Sequence, residues 1–349
     1  MTGSTLAALR NNNLATTECY SVVIEPYISS KACDHLPTFD VTREASLKIS
    51  ASSATPAPPA TQVVFFFAKH SSDAKTGEQS FTWTAENPVS GVLTDVSFNK
   101  GKSKLVFRLT INGVAYVAKR CYSLGGESKV SILANRDQLT KEGITLGRTN
   151  FFLKNFKQEC DSEGIEISAF DVTDFALVRE GTVTTESFIP SPASGLAPSE
   201  YSDLLEAEKA ELAADSNILS SITWLIERER GDVQLRKYSG TLDHPSYSDK
   251  QGATINLFQH YVYLFSRKTL VLADIQASES HDKHSHTSIL FDLMSHTING
   301  ESGAGDHGEQ GIKSFVDQHN CVQKCAQMGL EALREREDGE SEDEEGTSG

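Results

Sequence analysis

Seven residues near the end of the sequence, His319-x-Cys321-x-x-x-Cys325, constrain this chain more than any other feature. Thiolate sulfur and imidazole nitrogen are the donors zinc prefers, and cysteines four apart share a helix face, so both sulfurs can point at one ion. A closed zinc site takes four ligands, so three at one end oblige the fold to bring a fourth from elsewhere. His260, in Thr254 to Ser266 (TINLFQHYVYLFS), is a candidate. Two other readings stand beside it on the residues alone: Cys321 and Cys325 as buried thiols next to a surface histidine, and His260 as a core histidine satisfied by its neighbours.

The body around this cluster must be folded. The 349 residues are 38% hydrophobic, which suffices for a core. A formal charge of −16 argues against a protein that binds nucleic acid, whose phosphates need a basic surface. Part of the excess is local: residues 331–349 hold nine acids and two arginines, an acidic tail expected to be disordered. The longest apolar run, Val63 to Ala68, is six residues against the ~20 a bilayer needs, so no membrane span is expected. Without a basic start or apolar stretch like those of a secretory signal, an intracellular, cytoplasmic location is expected, with the six cysteines as thiols or metal ligands.

Ser50 to Thr61 (SASSATPAPPAT) has linker composition and marks a boundary after a short strand-like run at Tyr20 to Tyr27. Short β-branched and aromatic runs at Val63–Lys69, Gly91–Asn99, Lys104–Thr110 and Gly113–Arg120, separated by turns such as Lys100-Gly101 and Asn112-Gly113, predict an antiparallel sheet. The period then changes: Leu139, Leu146, Phe151, Phe152, Leu153 and Phe156 predict one long helix or two short ones between residues 135 and 160. A strand at Phe170–Arg179, an acidic helix at Glu200–Ala214, a helix at Thr254–Ser266, a buried strand at Thr269–Ile275 and a helix from Ile312 complete the pattern.

Three more places carry chemistry. Lys119 lies in the apolar stretch Ala115-Tyr-Val-Ala-Lys-Arg120; turned inward it needs an anion such as a nucleotide phosphate, turned outward it is an edge-strand lysine in water. Asp274 and Gln276 close an apolar strand two residues apart, hence on one face of it. Gly303, Gly305, Gly308 and Gly311 would let backbone N–H groups approach a ligand, although a glycine-spaced loop alone specifies little.

The order of these features, Lys119, Glu227, His260, Asp274-x-Gln276, Asp292, the glycine loop and HxCxxxC, resembles the alpha-kinase family of atypical protein kinases, which includes myosin heavy chain kinases and elongation-factor-2 kinase. The resemblance runs from Asp95 to Leu330 and is densest from Phe258 onward. His260 precedes Asp274 by 14 residues, as the family's zinc histidine precedes its catalytic aspartate.

The resemblance implies an α+β, two-lobed, protein-kinase-like fold, with a structural zinc on His260, His319, Cys321 and Cys325 in the C-lobe and ATP between the lobes. It implies transfer of the ATP γ-phosphate to a serine or threonine hydroxyl of a protein substrate. Lys119 would contact the nucleotide phosphates, and Glu227 in Trp224-Leu-Ile-Glu-Arg228, or else Glu229, would be the hinge acid beside adenine. Asp274 would orient or deprotonate the acceptor hydroxyl, Gln276 and Asp292 would hold magnesium, and Gly303, Gly305, Asp306 and Gly308 would lie along the nucleotide. Glu142 would be the lysine's ion-pair partner. The expected layout is an extension over 1–94, a catalytic domain over 95–330 and the tail over 331–349.

Several positions depart from the family pattern. Ala277 replaces a glycine, Phe291-Asp292-Leu293 replaces Thr-Asp-Pro, and Asp306 stands where asparagine is usual. The connection between Asp274 and Asp292 is longer and carries His281, His284 and His286, which reads as a solvated loop. Such departures make a zinc-stabilised pseudokinase the alternative; the retained lysine, glutamine and two aspartates oppose it. A zinc hydrolase is disfavoured because four protein ligands leave no open coordination position.

Overall fold

Alternating apolar residues build the anticipated sheet, which is larger than the four runs alone would make. The computed structural model describes residues 57–84, 86–126, 129–182, 188–202, 219–230, 233–279 and 287–334. The run at 20–27, Cys19 and Cys33, most of the acidic helix, His281, His284 and His286, and the tail beyond Arg334 lie outside them. The described residues fold as two compact units: those of 57–71, Gln79–Arg136 and Ala176–Glu229 form the first, and those of Ser72–Glu78, Asp137–Phe175 and 230–334 form the second. Among the described residues no helix is long and apolar enough to cross a membrane.

The first unit opens with β1 (Ala60–Ser72), β2 (Gln79–Trp83), β3 (Val89–Thr94), β4 (Asn99–Lys100), β5 (Lys104–Ile111) and β6 (Val114–Cys121). Asn112 and Gly113, at φ 51° and 76°, make the two-residue turn between β5 and β6 and set Ile111 opposite Val114. The expected strand at 170–179 is two strands, β7 (Phe170–Val172) and β8 (Phe175–Thr182), which serve different units. The break has a packing cause: Phe170 meets the rings of Phe156 and Phe258 at steep angles in the second unit, while Val178 fills the core of the first. With β9 (Leu219–Arg228) the sheet order is β2-β1-β3-β5-β6-β9-β8, with β4 on β5, and β8 pairs back onto β1 to close the path into a ring.

Inside lie Val63 and Phe65, Phe107, Leu109 and Ile111, and Ile222, Trp224 and Ile226, every second residue of three strands. Trp224 meets Phe107 edge-on at 5.4 Å, a pair worth about 0.5–1.5 kcal/mol beyond its burial. Strands β1 and β3 precede residue 95 yet contribute Val63, Phe65 and Leu93 to this core, and β1 pairs with β3 and β3 with β5, so the sheet that carries Lys119 includes strands from Ala60 onward.

One long helix, α1 (Ile132–Ser162), fills the span where one or two were expected. Ser131 caps it by accepting the Ala134 N–H, and Phe152, Leu153 and Phe156 are buried. After the short α2 (Pro198–Ser202), the second unit continues with β10 (Leu235–Lys237), α3 (Lys250–Phe265), β11 (Leu270–Ala273), β12 (Gln276–Glu279), β13 (Ser288–Phe291), β14 (Met294–Thr297), α4 (Gly308–Gln318) and α5 (Gln323–Gln327). Strands β10, β12, β13 and β7 form one sheet in that order, and β11 and β14 a separate two-stranded one. Asp249 caps α3, accepting the Gly252 N–H, and Phe258, Tyr261 and Phe156 pack ring against ring below it.

Candidate functional site

Lys119 is inward-facing and central. Its side chain is 7% exposed, and Nζ donates to Glu227 Oε1 at 2.6 Å, the carboxylate being fully buried. Register explains the pairing: Lys119 lies opposite Leu225 and Val117 opposite Glu227, so lysine and glutamate are diagonal neighbours on one face of β6 and β9. Glu227, expected beside adenine, is thus an ion-pair partner of the lysine. Glu229 pairs instead with Arg108, 3.2 Å from its Nε, and Glu142 accepts the side-chain amide of Gln138.

Asp274 and Gln276 do not share one face of one strand. β11 stops at Ala273 and β12 starts at Gln276 in a different sheet, because Asp274 sits in the left-handed region at φ 52° and turns the chain. Asp292 does the same at φ 55° between β13 and β14. Ala273 faces Met294 and Gln276 faces Phe291, so the two aspartates occupy opposed breaks in a pair of antiparallel arms. Left-handed backbone is unfavourable for non-glycine residues and persists where surroundings over-determine it. Here the Asp274 N–H donates to Gly240 O at 2.9 Å, the Ile275 N–H to Ser239 Oγ at 3.0 Å, and the Tyr238 N–H to Ile275 O at 2.7 Å.

Lys237, which sequence reasoning did not single out, ends β10 opposite Gln276 and brings Nζ 2.6 Å from Asp274 Oδ1. That oxygen is buried and has no aligned hydrogen-bond donor, so the ammonium acts on it as a charge. The lysine is 60% exposed and the aspartate 28%, which leaves both within reach of a ligand.

In the loop from Thr297 to Gly308, many backbone donors are already taken. Asp306, its side chain fully buried, accepts the N–H groups of Thr297, Ser302 and Gly308 and the hydroxyls of Thr297 and Ser302. The Ala304 N–H goes to Gln138 Oε1 and the His307 N–H to His296 Nδ1. Asp306, expected along the nucleotide, turns its carboxylate into the loop. Gly311 has a packing reason for being glycine: a Cβ there would lie 2.2 Å from the His296 ring.

His260, His319, Cys321 and Cys325 come together, their ligand atoms all within 4.8 Å of one another. Cys321 Sγ is 3.9 Å from His260 Nδ1, and Cys325 Sγ 4.0 Å from His319 Nε2. A tetrahedral zinc with the usual bond lengths needs donor separations of roughly 3.3–3.8 Å, so a small inward movement of the side chains would fit it. The two cysteines do not share a helix face; Cys321 precedes α5, which starts at Gln323 after an extended Val322, and only Cys325 lies on it. Burial pushes His260 down to about 4 and His319 down to about 3, so both imidazoles are neutral, the ligating form. Burial also pushes the Cys325 thiol up to about 12, so it yields its proton only to a strong competitor such as a metal. The two nitrogens and two thiol sulfurs suit zinc.

The model of the alpha-kinase family matches residues 99–325, well over half of the chain. The chain belongs to the alpha-kinase family. Among curated proteins, myosin heavy chain kinase B of Dictyostelium discoideum is 29% identical over 101 residues, which are 29% of this chain and 12% of that protein. Among solved structures, an alpha-kinase from Entamoeba histolytica matches with a TM-score of 0.55 and 16% identity over 79% of this chain and 94% of that one. The alpha-kinase domain of myosin-II heavy chain kinase A matches at 0.52 and 14%, covering 78% and 98%. At these identities the likeness to solved structures is one of fold. This alpha-kinase therefore carries the family fold with Lys119 and Glu227 in its first unit, and with Asp274, Gln276, Asp292, the glycine loop and the histidine–cysteine cluster in its second.

Proposed function

We propose that this alpha-kinase is an active protein serine/threonine kinase. The observation that carries the reading is the pair of aspartates in left-handed backbone at opposed strand breaks, one of them ion-paired to Lys237. Strain of this kind, kept at two acids a few residues from each other's strands, belongs to sites where placement matters more than local stability. Myosin-II heavy chain kinase A has been solved with adenosine and with ATP, which supports ATP as the nucleotide here.

In this reading Lys119 holds the phosphates of ATP, with Glu227 keeping its ammonium in place. Asp274 accepts the proton of the acceptor hydroxyl as that oxygen bonds to the γ-phosphorus; the bond to the β,γ-bridging oxygen breaks and ADP leaves. Lys237 holds Asp274 and adds positive charge where negative charge grows. Gln276 and Asp292 offer the oxygen donors magnesium takes, and magnesium when bound offsets charge on the transferred group. Zinc on His260, His319, Cys321 and Cys325 is structural. The test is transfer of labelled phosphate from ATP and magnesium to the protein itself and to a generic basic protein. Asp274→Ala should lower it by at least ~100-fold; equal activity in both proteins would sink the assignment, and nucleotide binding without transfer in the native protein would point to a pseudokinase.

A further inference from the structure

The family match ends at Cys325, and among the residues that follow it, 330–334 lie along the histidine–cysteine cluster. The Leu330 N–H closes onto Cys325 O at 2.9 Å. Glu331 then presents its backbone carbonyl to His260 Nε2 at 3.0 Å. A carbonyl can only accept, so Nε2 carries the hydrogen, and Nδ1, the nitrogen 3.9 Å from Cys321 Sγ, is left with a free lone pair. The carbonyl thus selects the tautomer that can ligate, and does so from outside the four ligands.

Three side-chain contacts hold the carbonyl there. Glu331 pairs with Lys268 at 3.4 Å. Lys268 follows Arg267 in the left-handed region, at φ 65° and 59°, and its N–H donates to Tyr263 O at 2.7 Å at the end of α3. Leu333 packs on the cluster of Tyr263, Val271, Ile312 and Phe315. Arg334 donates from one nitrogen to His319 O at 2.8 Å and to Asn320 Oδ1 at 2.9 Å, so it grips the segment that bears the second histidine. Residues 331–334, assigned to the disordered tail from their composition, are therefore bonded to both halves of the cluster.

We propose that residues 330–334 form a strap that completes the zinc site, with the Glu331 carbonyl as the outer partner of His260 and with Leu333 and Arg334 as its anchors. The proposal rests on the zinc reading above. Outer partners of metal-bound histidines fix ring and tautomer, and their loss costs about 10–100-fold in metal affinity. The strap works through a main-chain oxygen, so the identity of residue 331 matters less than its position.

The test is zinc affinity, read by competition with a chromogenic chelator, and the visible spectrum after cobalt substitution. Three proteins are compared with the full chain: one lacking residues 335–349, one lacking 331–349, and the full chain carrying Leu333→Ser with Arg334→Ala. The first should bind as the full chain does. The second should lose about 10–100-fold and the third about tenfold, with an altered cobalt spectrum, although all four ligands remain. Unchanged affinity in the double variant overturns the strap whatever the truncation does. A full chain that binds no zinc overturns the zinc reading itself, a result distinguishable from failure of the strap alone.

Discussion

Asp306→Asn keeps the shape of the side chain and removes only its charge and one acceptor, so it isolates what the glycine loop draws from the carboxylate. Oδ2 receives the Ser302 N–H and the hydroxyls of Ser302 and Thr297, while Oδ1 receives the Gly308 N–H and the nearer branch of the Thr297 N–H, 3.1 Å away against 3.3 Å to Oδ2. An asparagine must turn its NH2 toward one of these sets. Toward the first it meets two hydroxyls, which can rotate to accept, and one N–H, which cannot; toward the second it meets two N–H groups. The cheaper orientation leaves one buried donor unmatched, about 1–3 kcal/mol, and weakens the two bonds at the other oxygen from charge-assisted to neutral, about 1 kcal/mol each. The loss is then about 3–5 kcal/mol with the loop shut, so opening to water becomes the easier outcome. Hydrogen exchange at the Ser302 and Gly308 amides should accelerate by at least about 100-fold. The pH dependence has a fixed sign. Burial would raise the Asp306 carboxyl, but the bonds from Thr297, Ser302 and Gly308 outweigh it and hold the group below its ordinary value. A lowered folded value means that the contribution is complete above about pH 4 and is lost as pH falls through the folded value. The asparagine protein should lack that acid-side loss. Unchanged exchange at Ser302 and Gly308 at neutral pH would refute the reasoning.

Glu227→Gln should destabilise the first unit by about 3–5 kcal/mol in denaturant unfolding, because it removes the carboxylate charge beside a buried lysine, whereas Lys119→Met combined with Glu227→Leu should cost less than Glu227→Gln alone. A double variant no more stable than that single one would show that the pair is not the source. Lys237→Ala should lower kcat for phosphate transfer by about tenfold or more while moving the thermal midpoint by no more than about 2 °C, as expected of an exposed charge acting on a neighbouring acid; unaltered kcat would remove Lys237 from the site. A strong chelator, or Cys325→Ala, should release one zinc per chain and unfold the second unit, followed by its thermal transition. A stably folded, metal-free protein would defeat that expectation.

Much of the first unit was legible because its signal is local. Val63 and Phe65, Phe107, Leu109 and Ile111 alternate within their own strands, and Asn112-Gly113 names its own turn. The histidine–cysteine cluster was legible for a different reason: zinc restricts its ligands to a few residue types, so His319, Cys321 and Cys325 stand out and only their partner had to be found. The glycine loop was less legible because glycine spacing records only that side chains are absent. That Gly311 makes room for His296, and that the amides around Asp306 already have acceptors, depends on residues brought from other strands.

Lys237 shows where a single sequence stops informing. Nothing in Leu235-Arg-Lys237 distinguishes that lysine from a solvated one, since its partner lies 37 residues away and meets it only once β10 has paired with β12. The same short strand leads into the segment that fixes Asp274: Ser239 Oγ and Gly240 O hold the backbone on either side of the turn, and the Tyr238 N–H holds Ile275 O. A left-handed aspartate is worth about 1 kcal/mol or more in strain, which three such bonds outweigh. The acid conspicuous in the sequence is therefore placed by a segment without a motif, and variation in 237–240 should alter catalysis before it alters the fold.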